Sequence, residues 1–211
     1  MKPLLAALND LPEFRQLCAA VDNGACPAAV NGLSAVHRAH FAAGLRQALG
    51  RPVVLVCADE GECQRLERDL AALSGEGVRT LSAREFTFHN AAVASRQWEH
   101  RRLSVLRALA AGECPLLVCT VEALLQRTMP KSQLIHAAQT LRLGESHDLN
   151  ELAGTLTAAG YTRCEQVEGV GQFALRGGIL DFFSPAQERP VRAEFFGDEV
   201  DSLGLFDPNT Q

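Results

Sequence analysis

The apolar residues of this 211-residue chain keep two different rhythms, and one sheet cannot satisfy both. Up to about Pro130, short runs dense in Val and Leu alternate with amphipathic stretches. The runs Ala28–Val30, "PVVLVC" (52–57), "GVRTLS" (77–82) and "PLLVCT" (115–120) read as buried strands. Between them, "DEGECQRLERDLAALSG" opens with Asp59 as N-cap and Glu62 three residues on, a capping-box pattern, and stops at Gly75. "SRQWEHRRLSVLRALAAG" has the same character, with Leu103, Leu106 and Ala110 on its core side and Gly112 as its stop. Strands alternating with helices imply a parallel sheet covered by helices.

After Pro130 the spacing changes. "DLNELAGTLTAAG" is one helix with an Asp148/Glu151 capping box and a Gly160 stop. Closely spaced strands follow: "YTRCEQV", "GQFALRG", "GILDFFS", "PVRAEFFG" and "DEVDSLGLF". Their short turns predict an antiparallel meander. The expected organisation is an α/β domain over 1–130 with a helicase-like parallel sheet, then a small α+β domain over 131–211 with an antiparallel sheet.

Several classes are disfavoured. No run approaches the ~20 apolar residues of a membrane span, and "MKPLLAALNDLPEF" is too interrupted for a signal peptide, so a cytoplasmic protein is expected. Seven cysteines without a C-x-x-C pair point to reduced, buried thiols, not to zinc or disulfides. Residues 1–130 carry 14 Lys/Arg against 13 Asp/Glu, whereas 131–211 carry 6 against 12. The acidic second part argues against a nucleic-acid surface there.

"AAVNGLSAVHRAHFAAGL" has the strand–turn–helix layout of a phosphate-binding loop. A working loop, G-x-x-x-x-G-K-[ST], uses its second glycine to approach the phosphates, its lysine to neutralise them and its hydroxyl to hold magnesium. Counted from Gly32, those positions hold His37, Arg38 and Ala39. The loop is thus degenerate, and no cofactor is expected. Asp198-Glu199, which imitates a helicase acidic pair, reads as a hairpin turn. His37 and His40 lack the further ligands of a metal site.

Alternation along "PVRAEFFG" puts Val191, Ala193 and Phe195 on one side, toward the 148–159 helix, and Arg192, Glu194 and Phe196 on the other. In "QFALRG", Phe173 and Leu175 share one face, Ala174 and Arg176 the opposite one. A sheet face with Arg176, Arg192, Glu194 and the aromatic Phe196 suits protein binding, and no nucleophile–base pattern accompanies it.

These segments carry a resemblance. The Y-T-R element, the F-x-x-R-G-x-x-x-D-x-F run and the R-x-E-F-F-G-D-E-V run resemble, in order, the second domain shared by the excinuclease component UvrB and the bacterial transcription-repair coupling factor. A weaker likeness over 28–129, including "VEALLQRTMP", is to the preceding domain of the coupling factor. UvrB, an ATP-dependent damage-recognition protein, is the rival; it needs an intact phosphate loop and a tyrosine-rich hairpin, whereas this chain has one tyrosine, Tyr161. The resemblance is therefore to the coupling factor's N-terminal region. It implies a non-catalytic piece of an ATP-driven DNA translocase whose motor, RNA-polymerase-binding and masking C-terminal modules lie beyond Gln211. It also implies docking of the excinuclease component UvrA through Arg163 of the Y-T-R element, Arg176 of the R-G element, and Arg192 and Glu194 of the R-x-E element. UvrB commonly has a further arginine where this chain has Ala174.

Overall fold

The computed structural model describes residues 2–75, 77–83 and 96–208. Two compact units emerge: Met1–Thr87 with Ala111–Thr128, and Phe88–Ala110 with Met129–Gln211. The division differs from one at residue 130 in placing 88–110 with the second unit.

In the first unit, α1 (Lys2–Ala6) passes through a 3-10 turn at Ala7–Asp10 into α2 (Pro12–Asp22). Pro12 starts α2 where the missing N–H costs nothing. Helix α3 (Ala35–Leu49) ends at Gly50, whose φ of 66° closes it in a left-handed cap. Then come β1 (Val53–Cys57), α4 (Glu60–Ser74) and β2 (Val78–Leu81). The chain then forms α5 (Arg96–Ala111), which falls in the second unit up to Ala110, and returns to the first with β3 (Leu116–Thr120) and α6 (Val121–Leu125). The three strands are parallel in the order β1-β3-β2, so the last to arrive takes the centre and all five of its residues are buried. Leu116 and Val118 share one core cluster with Ala39, Ala42 and Ala43 of α3 and Cys63, Leu66 and Leu70 of α4. Small side chains on α3 let the N-terminal helices close in: a Cβ on Gly44 would stand 3.1 Å from the Phe14 ring. Phe14 in turn packs edge-on against Phe41 at 5.5 Å.

The capping signals are realised. Asp59 Oδ1 accepts from the Glu62 N–H at 2.7 Å, and Glu62 reaches back to the Ala58 N–H at 3.0 Å. Ala28–Val30, by contrast, is not a strand. Pro27 offers no N–H to a ladder, Gly32 turns at φ 83°, and the run between is too short to pair. Val30 is left exposed. The pattern expected for α5 is one residue out of phase. Its buried residues are Arg102, Val105 and Ala108, while Leu103 is exposed. The arginine in this buried stripe lies with its guanidinium over the Trp98 ring, 5.7 Å from the centroid.

In the second unit, α7 (Lys131–Ala137) and α8 (Leu149–Ala158) precede β4 (Thr162–Arg163), β5 (Gln172–Arg176), β6 (Ile179–Phe182), β7 (Val191–Phe196) and β8 (Glu199–Leu205). Asp148 caps α8, accepting from the Asn150 and Glu151 N–H groups. The strands lie in sequence order, antiparallel except for β4, which runs parallel to β5. The expected meander fails there. The 164–171 loop does not make a hairpin: fully buried Val167 anchors it, and Gln172 Oε1 takes the Glu168 and Gly169 N–H groups, returning the chain in its starting direction. Elsewhere the alternation holds, with Phe173, Leu180 and Ala193 packed on Leu152 and Ala153 of α8.

Four cysteines, Cys57, Cys63, Cys114 and Cys119, are buried free thiols. Burial, then a hydrogen bond to Cys57, pushes the Cys63 thiol from 9.0 up to about 12. Below pH 9 that thiol is protonated both folded and unfolded, and its contribution is whole. As pH rises from 9 toward 12 only the unfolded chain ionises there, so stability falls. In reducing buffer, urea midpoints should hold between pH 7 and pH 8 and decline above pH 9. Cys63→Ala should flatten that decline without abolishing it, because the other three buried thiols are raised too.

Candidate functional site

Register decides which side chains meet on the face turned away from α8. Pairing of β5, β6, β7 and β8 aligns Ala174, Asp181, Arg192 and Gly204 in one cross-strand row. The next row holds Arg176, Ile179, Glu194 and Ser202. The hairpin between β5 and β6 is two residues long, with Gly177 at φ 61° in the first loop position, where a II′ turn needs glycine. Gly178 is held tighter still: a Cβ there would stand 2.8 Å from the Phe195 carbonyl oxygen, and the Phe195 N–H donates to the Gly178 carbonyl at 2.8 Å.

Asp181, the aspartate of the F-x-x-R-G-x-x-x-D-x-F run, has no role assigned from the sequence, and it organises this face. Its side chain is 1% exposed. Arg192 grips it with two donors, Nε to Oδ1 at 2.7 Å and Nη2 to Oδ2 at 2.8 Å. Arg176 Nη2 adds a third bond to Oδ2 at 2.7 Å. Such bidentate charge-assisted pairs are strong, and they compensate the desolvation a buried carboxylate otherwise suffers. The hydrogen bond to Asp181 raises the Arg192 pKa, with burial opposing. On its other side the Arg192 guanidinium lies over the Phe206 ring at 4.9 Å. Ala174, in register with Asp181, is buried and leaves the carboxylate to these two arginines. The available signal was an acid inside the apolar run "GILDFF".

The other expected residues distribute around this core. Glu194 is exposed in the row beside Arg176. Phe196, 86% exposed, follows a β-bulge between Glu194 and Phe195, where the extra twist re-aims the strand end. Arg163 stands apart: on β4 it is in register with Phe173, a residue of the opposite alternation. It nevertheless lines an open cleft with Cys164, Glu165, Gln166, Leu175 and Arg176, which joins it to one of the two arginines.

The segment expected to hold a degenerate phosphate loop lacks the strand that would precede it. Gly32 turns the chain before the helix, and His37, Arg38 and Ala39 lie inside α3. Ser34 Oγ and His37 Nδ1 share a hydrogen bond of 3.1 Å. Arg38 forms an ion pair with Glu62 of α4, so its charge is neutralised within the protein. Ala39 is fully buried in the core. Asp198 lies in the β7–β8 turn. Among the described residues, no group of three or more His, Cys, Asp or Glu is placed to hold a metal ion, and no helix is long and apolar enough to cross a membrane.

The second sheet coincides with a known family. Residues 140–211 match the UvrB interaction domain. The transcription-repair-coupling factor of Myxococcus xanthus is 36% identical over 188 residues, covering 85% of this chain and 16% of that protein. That of Bacillus subtilis is 30% identical over 206 residues, 97% of this chain and 17% of its own length. The chain belongs with the N-terminal regions of the transcription-repair-coupling factors. The factor of Escherichia coli shows 32% identity over 160 residues, covering 76% of this chain and 14% of its own length. The chain thus spans about one sixth of the coupling factors it matches.

The Asp181 cluster in this coupling-factor region makes an asymmetric prediction. Arg192→Ala strands a buried carboxylate on one partner and should lower unfolding stability by about 3 kcal/mol. Removing Asp181 as well, in Arg192→Ala/Asp181→Ala, should recover part of that loss. Urea denaturation of the full double-mutant cycle measures the coupling.

Proposed function

We propose that this chain is a non-catalytic adaptor that binds the excinuclease component UvrA through the outer face of its second sheet. In this reading it acts in the cytoplasm, recruiting excision repair to DNA where RNA polymerase has stalled. The observation that carries the reading is the arginine pair on Asp181, flanked by exposed Glu194 and Phe196 and continued to Arg163 by the cleft. Fixed guanidinia with donors to spare suit recognition of carboxylates, and an adjacent exposed aromatic supplies apolar area. Contacts with RNA polymerase and DNA, ATP-driven translocation, and masking of the docking face by a C-terminal domain belong in this reading to the rest of the coupling factors' length.

Two features support the absence of nucleotide chemistry in this region. The cation nearest the lysine position is already paired with Glu62, and the hydroxyl position is a buried alanine. Glu62 balances the Arg38 charge and would repel a phosphate brought beside it.

Arg176→Ala is the cleanest probe of docking, because Arg192 retains its two bonds to Asp181. Affinity for purified UvrA should fall at least about tenfold, or ~1.4 kcal/mol, by titration calorimetry. Wild-type affinity in that variant removes the site. Mg-ATP should leave the melting temperature unmoved, whereas a nucleotide at ~100 times its dissociation constant would add about 2.7 kcal/mol of stability. A clear upward shift revives the ATP-dependent reading.

A further inference from the structure

The two arginines do not stand on the sheet independently. Both reach the same carboxylate, from strands on either side of it, and that carboxylate is sealed from solvent. Arg192 spends Nε and Nη2 on Asp181, leaving Nη1 for a partner. Arg176 spends only Nη2 in this pair, leaving Nε and Nη1. Neither side chain is buried as deeply as its anchor: 45% of Arg176 and 27% of Arg192 remain accessible. Arg192 is further confined by the Phe206 ring. The result is two guanidinium planes fixed by one buried point, each with donors unspent.

We propose that Asp181 is the positioning residue of the docking face: its buried carboxylate orients Arg176 and Arg192 so that their remaining N–H groups receive carboxylates of an acidic partner surface. This rests on the proposed docking role and adds to it a residue that itself stays out of the interface. Pre-orientation lowers the entropy cost of fixing two long, rotamer-rich side chains on binding.

The sign of one substitution separates this role from its alternatives. Arg176, Arg192, Asp181 and Glu194 together carry no net charge, and Asp181→Asn leaves the cluster at +1. Were the face to act only through its charge, Asp181→Asn would bind an acidic partner more tightly, with faster association. A purely structural Asp181 would lower the melting temperature and leave the affinity of the folded chain unchanged. Positioning requires the opposite: weaker binding in spite of added positive charge, because an amide offers one accepting oxygen where the carboxylate uses two, and its NH2 opposes a guanidinium N–H that Asp181 now accepts.

The test is surface plasmon resonance against purified UvrA, at two salt concentrations, on the folded fraction of each chain. Asp181→Asn should weaken binding at least about tenfold, mainly through faster dissociation. Arg192→Lys keeps the charge and a donor to Asp181 but loses the fork, and it should weaken binding too. It stands in if Asp181→Asn does not fold. Equal or tighter binding in Asp181→Asn, or wild-type affinity in Arg192→Lys, overturns the positioning role while leaving the docking site intact. A wild-type chain that does not bind at all overturns the docking role, and the positioning role with it.

Discussion

A carboxylate removed from water needs compensation, and in the second unit Asp181 obtains it from the two strands beside its own. Arg176 of β5 and Arg192 of β7 converge on β6, so three strands are tied at one point on the face opposite the hydrophobic core. Apolar packing of Phe173, Leu180 and Ala193 on α8 holds the sheet from below. Both faces fix the register, because moving β6 by one residue would carry Leu180 out of the core and Asp181 into it, away from both arginines. Register and the proposed docking geometry thus depend on the same contact.

In the first unit the strand expected before Gly32 does not form, so the strand–turn–helix layout of a phosphate loop is incomplete. The parallel sheet persists, with β3 buried at its centre between β1 and β2. Helix α3 is rich in alanine and glycine because it packs closely on both the sheet side and the N-terminal helices. That packing needs Ala39, where a phosphate loop needs a hydroxyl, to be small and buried. Glu62 both completes the α4 cap at Ala58 and pairs with Arg38, so one side chain closes the helix end and occupies the remaining cation.

Local patterns were legible wherever local physics decided the outcome. The N-caps at Asp59 and Asp148 and the apolar runs of β1, β2, β3 and β5–β8 depend on near neighbours along the chain. So does the alternation that separates Ala193 and Phe195 from Arg192 and Glu194. Failures came where distant residues intervene. The N-terminal helices bury Leu5, Leu8 and Phe14, but the break at Asn9-Asp10 hid their continuity. Arg102, lying over Trp98, holds a buried place on α5, and the expected stripe is shifted.

Residue order was enough to set the two rhythms, the helix ends and the sidedness of each strand, because these follow from backbone geometry and side-chain spacing within a few residues. Three features waited on the assembled fold: β4 runs parallel to its neighbour, Arg38 is neutralised, and Asp181 sits between two arginines. Each of those depends on which segments lie side by side, and the free energy of a buried charge is fixed only when its neighbours are.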